Sequence, residues 1–130
     1  MLPEVSIIIV SFNTKALTKK AVAAAYASSR THSLEVIVVD NGSTDGSQEA
    51  LKKAFPTLTL IQQNTNKGFS QANNRGTQEA RGKYLFFLNS DTEVQEEAVD
   101  VLAQELERSP SIGAVSGMGD GTGAAITIDS

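Results

Sequence analysis

Polar and glycine residues follow each of four short apolar runs in this sequence, where predicted strands would end. Carboxylates, carboxamides, hydroxyls and one lysine recur in these segments, which are residues 11–13, 40–45, 64–68 and 89–91. Such groups can hydrogen-bond a base or ribose, ligate a hard cation or neutralise a phosphate. Any one segment can equally serve as a turn. In open α/β sheets, however, ligands bind beyond the carboxyl ends of the strands, so the four segments together predict a ligand site.

Asp40 directly follows the apolar run at residues 36–39 and therefore stands at the end of a buried strand. There it can accept a hydrogen bond from a base or a ribose, or it can close an Asx turn around Asn41 and Gly42. The residue types leave both roles open. Phe12 can present a flat face to a base, but packing in the core is its slightly favoured role.

Asn89, Ser90 and Asp91 follow the run at residues 84–88 in the same way. Mg²⁺ and Mn²⁺ take oxygen ligands, commonly one or two carboxylates together with substrate phosphates. The segment can therefore hold a metal, or it can simply begin the next turn and helix. Lys67 can neutralise a phosphate, with a solvated lysine as the alternative.

The apolar runs are rich in Ile and Val and do not alternate with polar residues, which is typical of strands buried on both faces of a parallel sheet. They cover residues 5–10, 36–39, 58–61 and 84–88, with a weaker run at 112–115. Helical patterns lie between and after them, at residues 16–28, from Asp45 to near 55, at 69–80 and at 96–108. This order predicts an α/β, Rossmann-like fold whose mostly parallel sheet has helices on both faces.

Two local patterns give expectations for single residues. Phe69, Ala72, Gly76 and Ala80 share one face of the third helix and are expected to pack on the sheet. His32 lies between a helix and a strand beside polar residues, so it is expected in solvent.

The composition limits the classes of protein that fit. The 130 residues are 40% hydrophobic and 20% charged, which suits one globular domain. The absence of cysteine excludes disulfides and cysteine-ligated zinc, and the net charge of −4 argues against a nucleic-acid binder. Neither a signal-peptide pattern nor a transmembrane segment is visible, so a cytoplasmic protein is expected. Glycine stands at every second position of 117–123, which predicts a domain at 1–116 and a tail at 117–130 that is flexible or forms a short strand.

Four segments taken together resemble family 2 glycosyltransferases with the GT-A fold, and the resemblance covers residues 4–116. The segments are residues 5–13, 35–45, 66–76 and 84–92. Within the family, the sequence looks most like the branch resembling rhamnosyltransferases. The resemblance implies a strand order of 3-2-1-4. It also implies inverting transfer from a nucleotide-diphosphate sugar to a hydroxyl acceptor, in cell-surface polysaccharide biosynthesis.

The resemblance also implies roles for single residues. Phe12 would border the base, Asp40 would read its edge, and Lys67 would help to hold the nucleotide. Asp91 would be the metal-binding carboxylate for Mg²⁺ or Mn²⁺, and Asn89 stands where the commonest pattern has an aspartate, so it brings an oxygen but no charge. The full set implied for the nucleotide is Ser11, Phe12, Asn13, Asp40, Asn41, Lys67, Asn73 and Ser90, and the set for the metal is Asp91 and Asn89.

The general base of the family lies in an acceptor-binding half, which no segment after Val115 resembles. No catalytic residue is therefore assigned, and the expectation is a donor-binding half-domain that is inactive alone, with the acceptor unknown. Two alternatives stay open. One is a non-catalytic assembly domain that keeps this fold and forms a homodimer. The other is a nucleotidyltransferase, although residues 11–14 are not the glycine-rich, basic loop that such an enzyme favours.

Overall fold

The computed structural model describes residues 2–91, 93–108, 114–116 and 124–127, with side chains described up to Arg108. The elements are β1 (Val5–Ser11), α1 (Lys15–Tyr26), β2 (Leu34–Asp40), α2 (Ser47–Ala54), β3 (Thr59–Gln62), α3 (Phe69–Glu79), β4 (Tyr84–Asn89), α4 (Ala98–Arg108), β5 (Ala114–Ser116) and β6 (Ala124–Thr127). The bounds of the first eight differ from the predicted ones by at most about two residues. The weaker run predicted a strand that overlaps β5. The glycine-rich residues 117–123 lie outside the described residues.

The described strands form one sheet in the order β3-β2-β1-β4-β6-β5. β1 pairs parallel with β2 on one side and with β4 on the other, and β2 pairs parallel with β3. This part of the sheet confirms the predicted order 3-2-1-4. β6 pairs antiparallel with both β4 and β5, on the side of β4 away from β1.

Helices cover both faces of the sheet. Successive residues of a buried strand point to opposite faces, so each face contributes to its own apolar cluster. Ile7 and Ile9 of β1 pack in the cluster that includes side chains of α1, α2 and α4. Ile8, between them, packs in a second cluster with Ala72 of α3. All three isoleucines are fully buried, which explains why the strand sequence is apolar throughout instead of alternating.

α3 approaches the sheet closely at Gly76. A Cβ atom at this position would lie 2.7 Å from Cγ2 of Ile8 and 3.1 Å from Cγ2 of Val39. Both neighbours are buried β-branched side chains whose methyl groups are fixed close to the backbone. The position of α3 over β1 and β2 therefore depends on a glycine, although glycine disfavours a helix by about 1 kcal/mol relative to alanine.

Two single-residue expectations are wrong. Phe69 is 56% exposed, because it is the first residue of α3 and the buried contacts of the helix begin only at Ala72. A helical period identifies the apolar face but not where along the helix the sheet contact starts. The side chain of His32 is only 6% exposed, because Asp100 and Glu107 reach it from α4.

None of the helices in the described part of the chain is long and apolar enough to cross a membrane.

Replacing Gly76 by alanine is expected to lower the free energy of unfolding by about 1 kcal/mol or more. Overpacking a filled interior costs about 1–3 kcal/mol, which exceeds the helix propensity that alanine adds. Urea unfolding followed by circular dichroism measures the change. Gln78→Ala, at an exposed position of the same helix, is the control and should stay within about 0.5 kcal/mol. An alanine variant as stable as the native protein would contradict the close contact.

Candidate functional site

The parallel register brings the carboxyl ends of β1, β2 and β4 to one edge of the sheet, here called the carboxyl edge. Ser11 is the register partner of Asp40 across β1 and β2. Val10 is the register partner of Asn89 across β1 and β4. Because paired strands lie about 4.8 Å apart, the residues that end these three strands are near neighbours.

Asp40 is fully buried, and its two carboxylate oxygens have different surroundings. Oδ2 accepts hydrogen bonds from the Ser43 N–H at 2.9 Å and from Nε2 of Gln48 at 2.6 Å. Oδ1 is buried and has no hydrogen-bond partner in the described part of the chain. One oxygen therefore closes the turn that the sequence allows, and the other is left as a buried acceptor, which costs stability until a donor reaches it.

Asn41, 2% exposed, connects β2 to the loop before α3. Its Nδ2 donates to Oδ1 of Asn66 at 3.0 Å and to the carbonyl of Gly68 at 3.3 Å. Its Oδ1 accepts from the Lys67 N–H at 3.1 Å, and its own N–H donates to the Ser11 carbonyl. All of the hydrogen-bonding groups of this side chain are thus used within the protein, so Asn41 positions the Lys67 loop.

A series of hydroxyl groups joins β1, α1 and the segment after β4. Ser11 Oγ is buried and lies 2.9 Å from Oγ1 of Thr18 and 3.4 Å from Oγ1 of Thr14. Thr14 in turn donates to Oγ of Ser90 at 3.3 Å. This series places Ser11 and Ser90, both predicted nucleotide contacts, in one connected group.

Asn13 fastens the loop after β1 to the loop after β2. Its φ of 52° lies in the left-handed region, which asparagine tolerates better than most residues. Its N–H donates to Oγ of Ser43 at 2.8 Å, and its Oδ1 accepts from the Thr44 N–H at 2.7 Å. The side-chain oxygen of Asn13 therefore braces the loop, and the amide NH₂ is what it has left to offer a ligand.

Asp45 links the beginnings of two helices. Its Oδ2 accepts from the Lys15 N–H of α1 at 3.0 Å, and its Oδ1 accepts from both the N–H, at 3.0 Å, and the hydroxyl of Ser47 in α2. The Ser47 hydroxyl contributes most to lowering the pKa of this carboxyl, with the backbone N–H groups adding to it and burial opposing it. Its carboxylate thus stays charged and holds the site loops together.

Several groups with ligand-binding chemistry are exposed at the carboxyl edge. Phe12 is 44% exposed, so its favoured role in core packing is wrong. Asn89, Asp91 and Lys67 are exposed, and Ser90 is half-buried. A hydrophobic face, a carboxylate, a carboxamide and a cation are therefore available at this edge.

Asn73 is half-buried in the second turn of α3, where its carbonyl accepts a hydrogen bond from the Thr77 hydroxyl, and none of the described hydrogen bonds involves its side chain. Gln63, which the sequence reasoning missed, directly follows β3, and its buried Oε1 has no partner in the described part of the chain. Its place after a strand end was the signal that could have identified it.

The comparisons with known proteins agree with this geometry. The family model described as "Glycosyl transferase family 2" matches residues 6–124. This chain belongs to that family. The membership confirms the resemblance found in the sequence and argues against the nucleotidyltransferase alternative.

The relatives are longer proteins. An uncharacterized glycosyltransferase of Haemophilus influenzae is 31% identical over 107 residues, 82% of this chain and 36% of that protein. A poly-beta-1,6-N-acetyl-D-glucosamine synthase of Staphylococcus epidermidis is 27% identical over 85 residues, 64% of this chain and 21% of that protein. The mannosyltransferase PcManGT from Pyrobaculum calidifontis, solved in complex with GDP-Man and Mn²⁺, has a TM-score of 0.84 at 23% identity, covering 98% of this chain and 45% of that one. This chain spans less than half the length of each, and the structural likeness confirms the GT-A fold.

Replacing Asn41 by aspartate is expected to lower the free energy of unfolding by about 2–3 kcal/mol. The change removes the NH₂ donor and turns a buried charge toward the acceptors of Asn66 and Gly68. Urea unfolding measures the stability, and hydrogen exchange should show faster exchange at residues 67–68. Asn64→Asp, at an exposed position of the same loop, is the control, with an expected change within about 0.5 kcal/mol. Equal stability losses in the two variants would show that Asn41 does not hold this loop.

Proposed function

We propose that this chain is the donor-binding part of a glycosyltransferase, binding a nucleotide-diphosphate sugar with Mg²⁺ or Mn²⁺ at the carboxyl edge. The reaction of the whole protein would be inverting transfer of the sugar to a hydroxyl acceptor, in cell-surface polysaccharide biosynthesis. The observation that carries the proposal is the buried Oδ1 of Asp40, which lacks a partner in the described part of the chain.

The surroundings of Asp40 suit the base of the nucleotide. A carboxylate oxygen accepts hydrogen bonds only, so its natural partner is an N–H donor, as on the edge of uracil, thymine or guanine. Oδ2 is held by Ser43 and Gln48, which fixes the direction of Oδ1. The exposed ring of Phe12, one residue beyond the register partner of Asp40, can cover the face of the same base.

The end of β4 suits the diphosphate and its cation. Asp91 offers one charged oxygen and Asn89 one neutral oxygen, the hard ligands that Mg²⁺ and Mn²⁺ prefer. Two such ligands fill only part of a six-coordinate shell, so these residues fit a cation that is shared with substrate phosphates. When bound, such a cation neutralises charge on the departing diphosphate. Lys67, whose backbone Asn41 fixes, can add a further positive charge at the same edge.

The comparisons support these assignments. The Pyrobaculum calidifontis mannosyltransferase was solved with GDP-Man and Mn²⁺, the classes of ligand proposed here. The name of the Staphylococcus epidermidis relative is that of a polysaccharide synthase, which supports a place in polysaccharide biosynthesis.

Asp40→Asn is expected to weaken nucleoside diphosphate binding by about tenfold or more, because an NH₂ group in the place of Oδ1 would face the N–H of the base. Titration calorimetry with UDP, dTDP and GDP in the presence of Mn²⁺ measures this, starting from a native Kd of about 1 mM or tighter. Glu49→Gln, an exposed carboxylate on α2, is the matched control and should bind as the native protein does. No binding of any of the three nucleotides to the native chain would refute the proposal.

The metal assignment has its own test in a pair of opposite changes. Asp91→Ala is expected to abolish the part of nucleotide affinity that depends on Mn²⁺, whereas Asn89→Asp is expected to strengthen it by adding a second charged ligand. Titrations with Mn²⁺ and with EDTA separate that part from the rest. Glu93→Ala, an exposed carboxylate two residues beyond Asp91, should leave it unchanged. If Asp91→Ala and Glu93→Ala have the same effect, the metal lies elsewhere.

A further inference from the structure

A group of titratable side chains lies at the opposite edge of the sheet, where the strands begin. His32 stands two residues before β2, Glu4 stands directly before β1, and Asp100 and Glu107 come from α4. These four residues are here called the His32 cluster. Nothing in the proposed donor-binding function uses them.

The ring of His32 has a carboxylate at each of its nitrogens. Nδ1 lies 2.8 Å from Oδ1 of Asp100, and Nε2 lies 3.2 Å from Oε1 of Glu107. Neutral imidazole carries only one N–H and can donate to only one of these carboxylates. Imidazolium carries two, so only the protonated ring can donate hydrogen bonds to both carboxylates at once.

The two carboxylates are not held equally. Asp100 also accepts hydrogen bonds from the Ser29 hydroxyl at 2.6 Å and the Arg30 N–H at 2.8 Å, and from the Thr31 N–H. Glu107 is 40% exposed, and the contact with Nε2 is the only hydrogen bond of its carboxylate among those described. Loss of one ring proton would therefore release Glu107, while Asp100 would keep its backbone donors.

We propose that His32 is a proton-operated latch on α4, which fastens the last turn of the helix to the loop before β2 when the ring is protonated and releases it when the ring is neutral. The Asp100 end of α4 stays anchored in both states. Protonation of His32 thus determines whether the last turn of α4 is held in place, and it leaves the carboxyl edge unchanged.

The charges around the ring favour the protonated state. Burial is the largest single effect and favours the neutral ring, but the hydrogen bonds with Asp100 and Glu107 and the negative charges of Glu107 and Glu4 outweigh it and raise the pKa of His32 above 6.5. Arg30 is the nearby cation of the same loop, and it pairs with Glu96 and Glu97 instead of neutralising the cluster.

The sign of the pH dependence follows from the direction of this shift. A group whose pKa is raised on folding stabilises the folded state fully below its unfolded pKa, near 6.5, and loses that stabilisation as the pH rises through the folded pKa. The chain should therefore lose stability as the pH is raised through the folded pKa of His32.

The test uses the full chain in buffers with EDTA. Because His32 is the single histidine of the sequence, proton NMR follows its titration without ambiguity. The expected midpoint lies above 6.5 in the native chain and falls toward 6.5 in Glu107→Gln, while Glu105→Gln, on the same helix, leaves it unchanged. Hydrogen exchange at matched pH should show the last turn of α4 exchanging faster in Glu107→Gln, with no change at the beginning of the helix.

His32→Gln provides the complementary measurement, because it removes the titrating group. Its melting temperature should no longer fall over the pH range in which the native chain loses stability. A His32 midpoint at or below 6.5 in the folded native chain would overturn the latch, as would a midpoint that Glu107→Gln does not move. The NMR titrations decide the matter even if His32→Gln fails to fold.

Discussion

β1 is buried on both faces and has a parallel neighbour on each side, and the relative positions of the residues that end β1, β2 and β4 follow from this arrangement. A shift of one residue in either pairing would turn the side chains of a strand to the wrong face of the sheet, which the filled core on both faces forbids. The apolar contacts of Ile7, Ile8 and Ile9 thus fix the register, and the register places Ser11 beside Asp40. The site owes its geometry to buried residues that lie outside it.

The loops at the carboxyl edge add a second level of order. Asn41 fixes the Lys67 loop, Asn13 joins the loops after β1 and β2, and Asp45 links α1 with α2. Each of these bonds joins segments that lie 26 to 31 residues apart in the sequence. Their common effect is to preorganise the edge, so that a ligand would meet side chains already held in place.

Features that depend on neighbouring residues could be predicted from the sequence, whereas features that depend on distant contacts could not. The strands and helices follow from local patterns, because continuous β-branched runs and helical periods are encoded by neighbouring residues. The carboxyl edge follows from the general behaviour of parallel sheets. The different surroundings of the two oxygens of Asp40 could not be predicted, because they depend on Ser43 and Gln48 both reaching Oδ2 and not Oδ1. The burial of the His32 side chain could not be predicted for the same reason, since its partners lie 68 and 75 residues away in the sequence.

The two edges of the sheet differ in how fully their polar groups are satisfied. At the amino ends of the strands, Ser6 accepts from the Gly82 N–H and donates to Glu35, and Glu35 also pairs with Arg81. These contacts close the edge with protein groups alone.

At the carboxyl ends, the buried acceptors of Asp40 and Gln63 have no partner in the described part of the chain. Gln62 is the register partner of Asp40, so Gln63, the next residue, lies on the opposite face of the sheet. There it borders a shallow cavity of about 230 Å³ with Lys67 and Arg75. A donor that reaches Asp40 therefore does not satisfy Gln63, and of the two acceptors only Asp40 lies on the same face as Ser11, its register partner. Unsatisfied hydrogen-bonding capacity among the described residues therefore distinguishes the carboxyl ends of the strands from their amino ends.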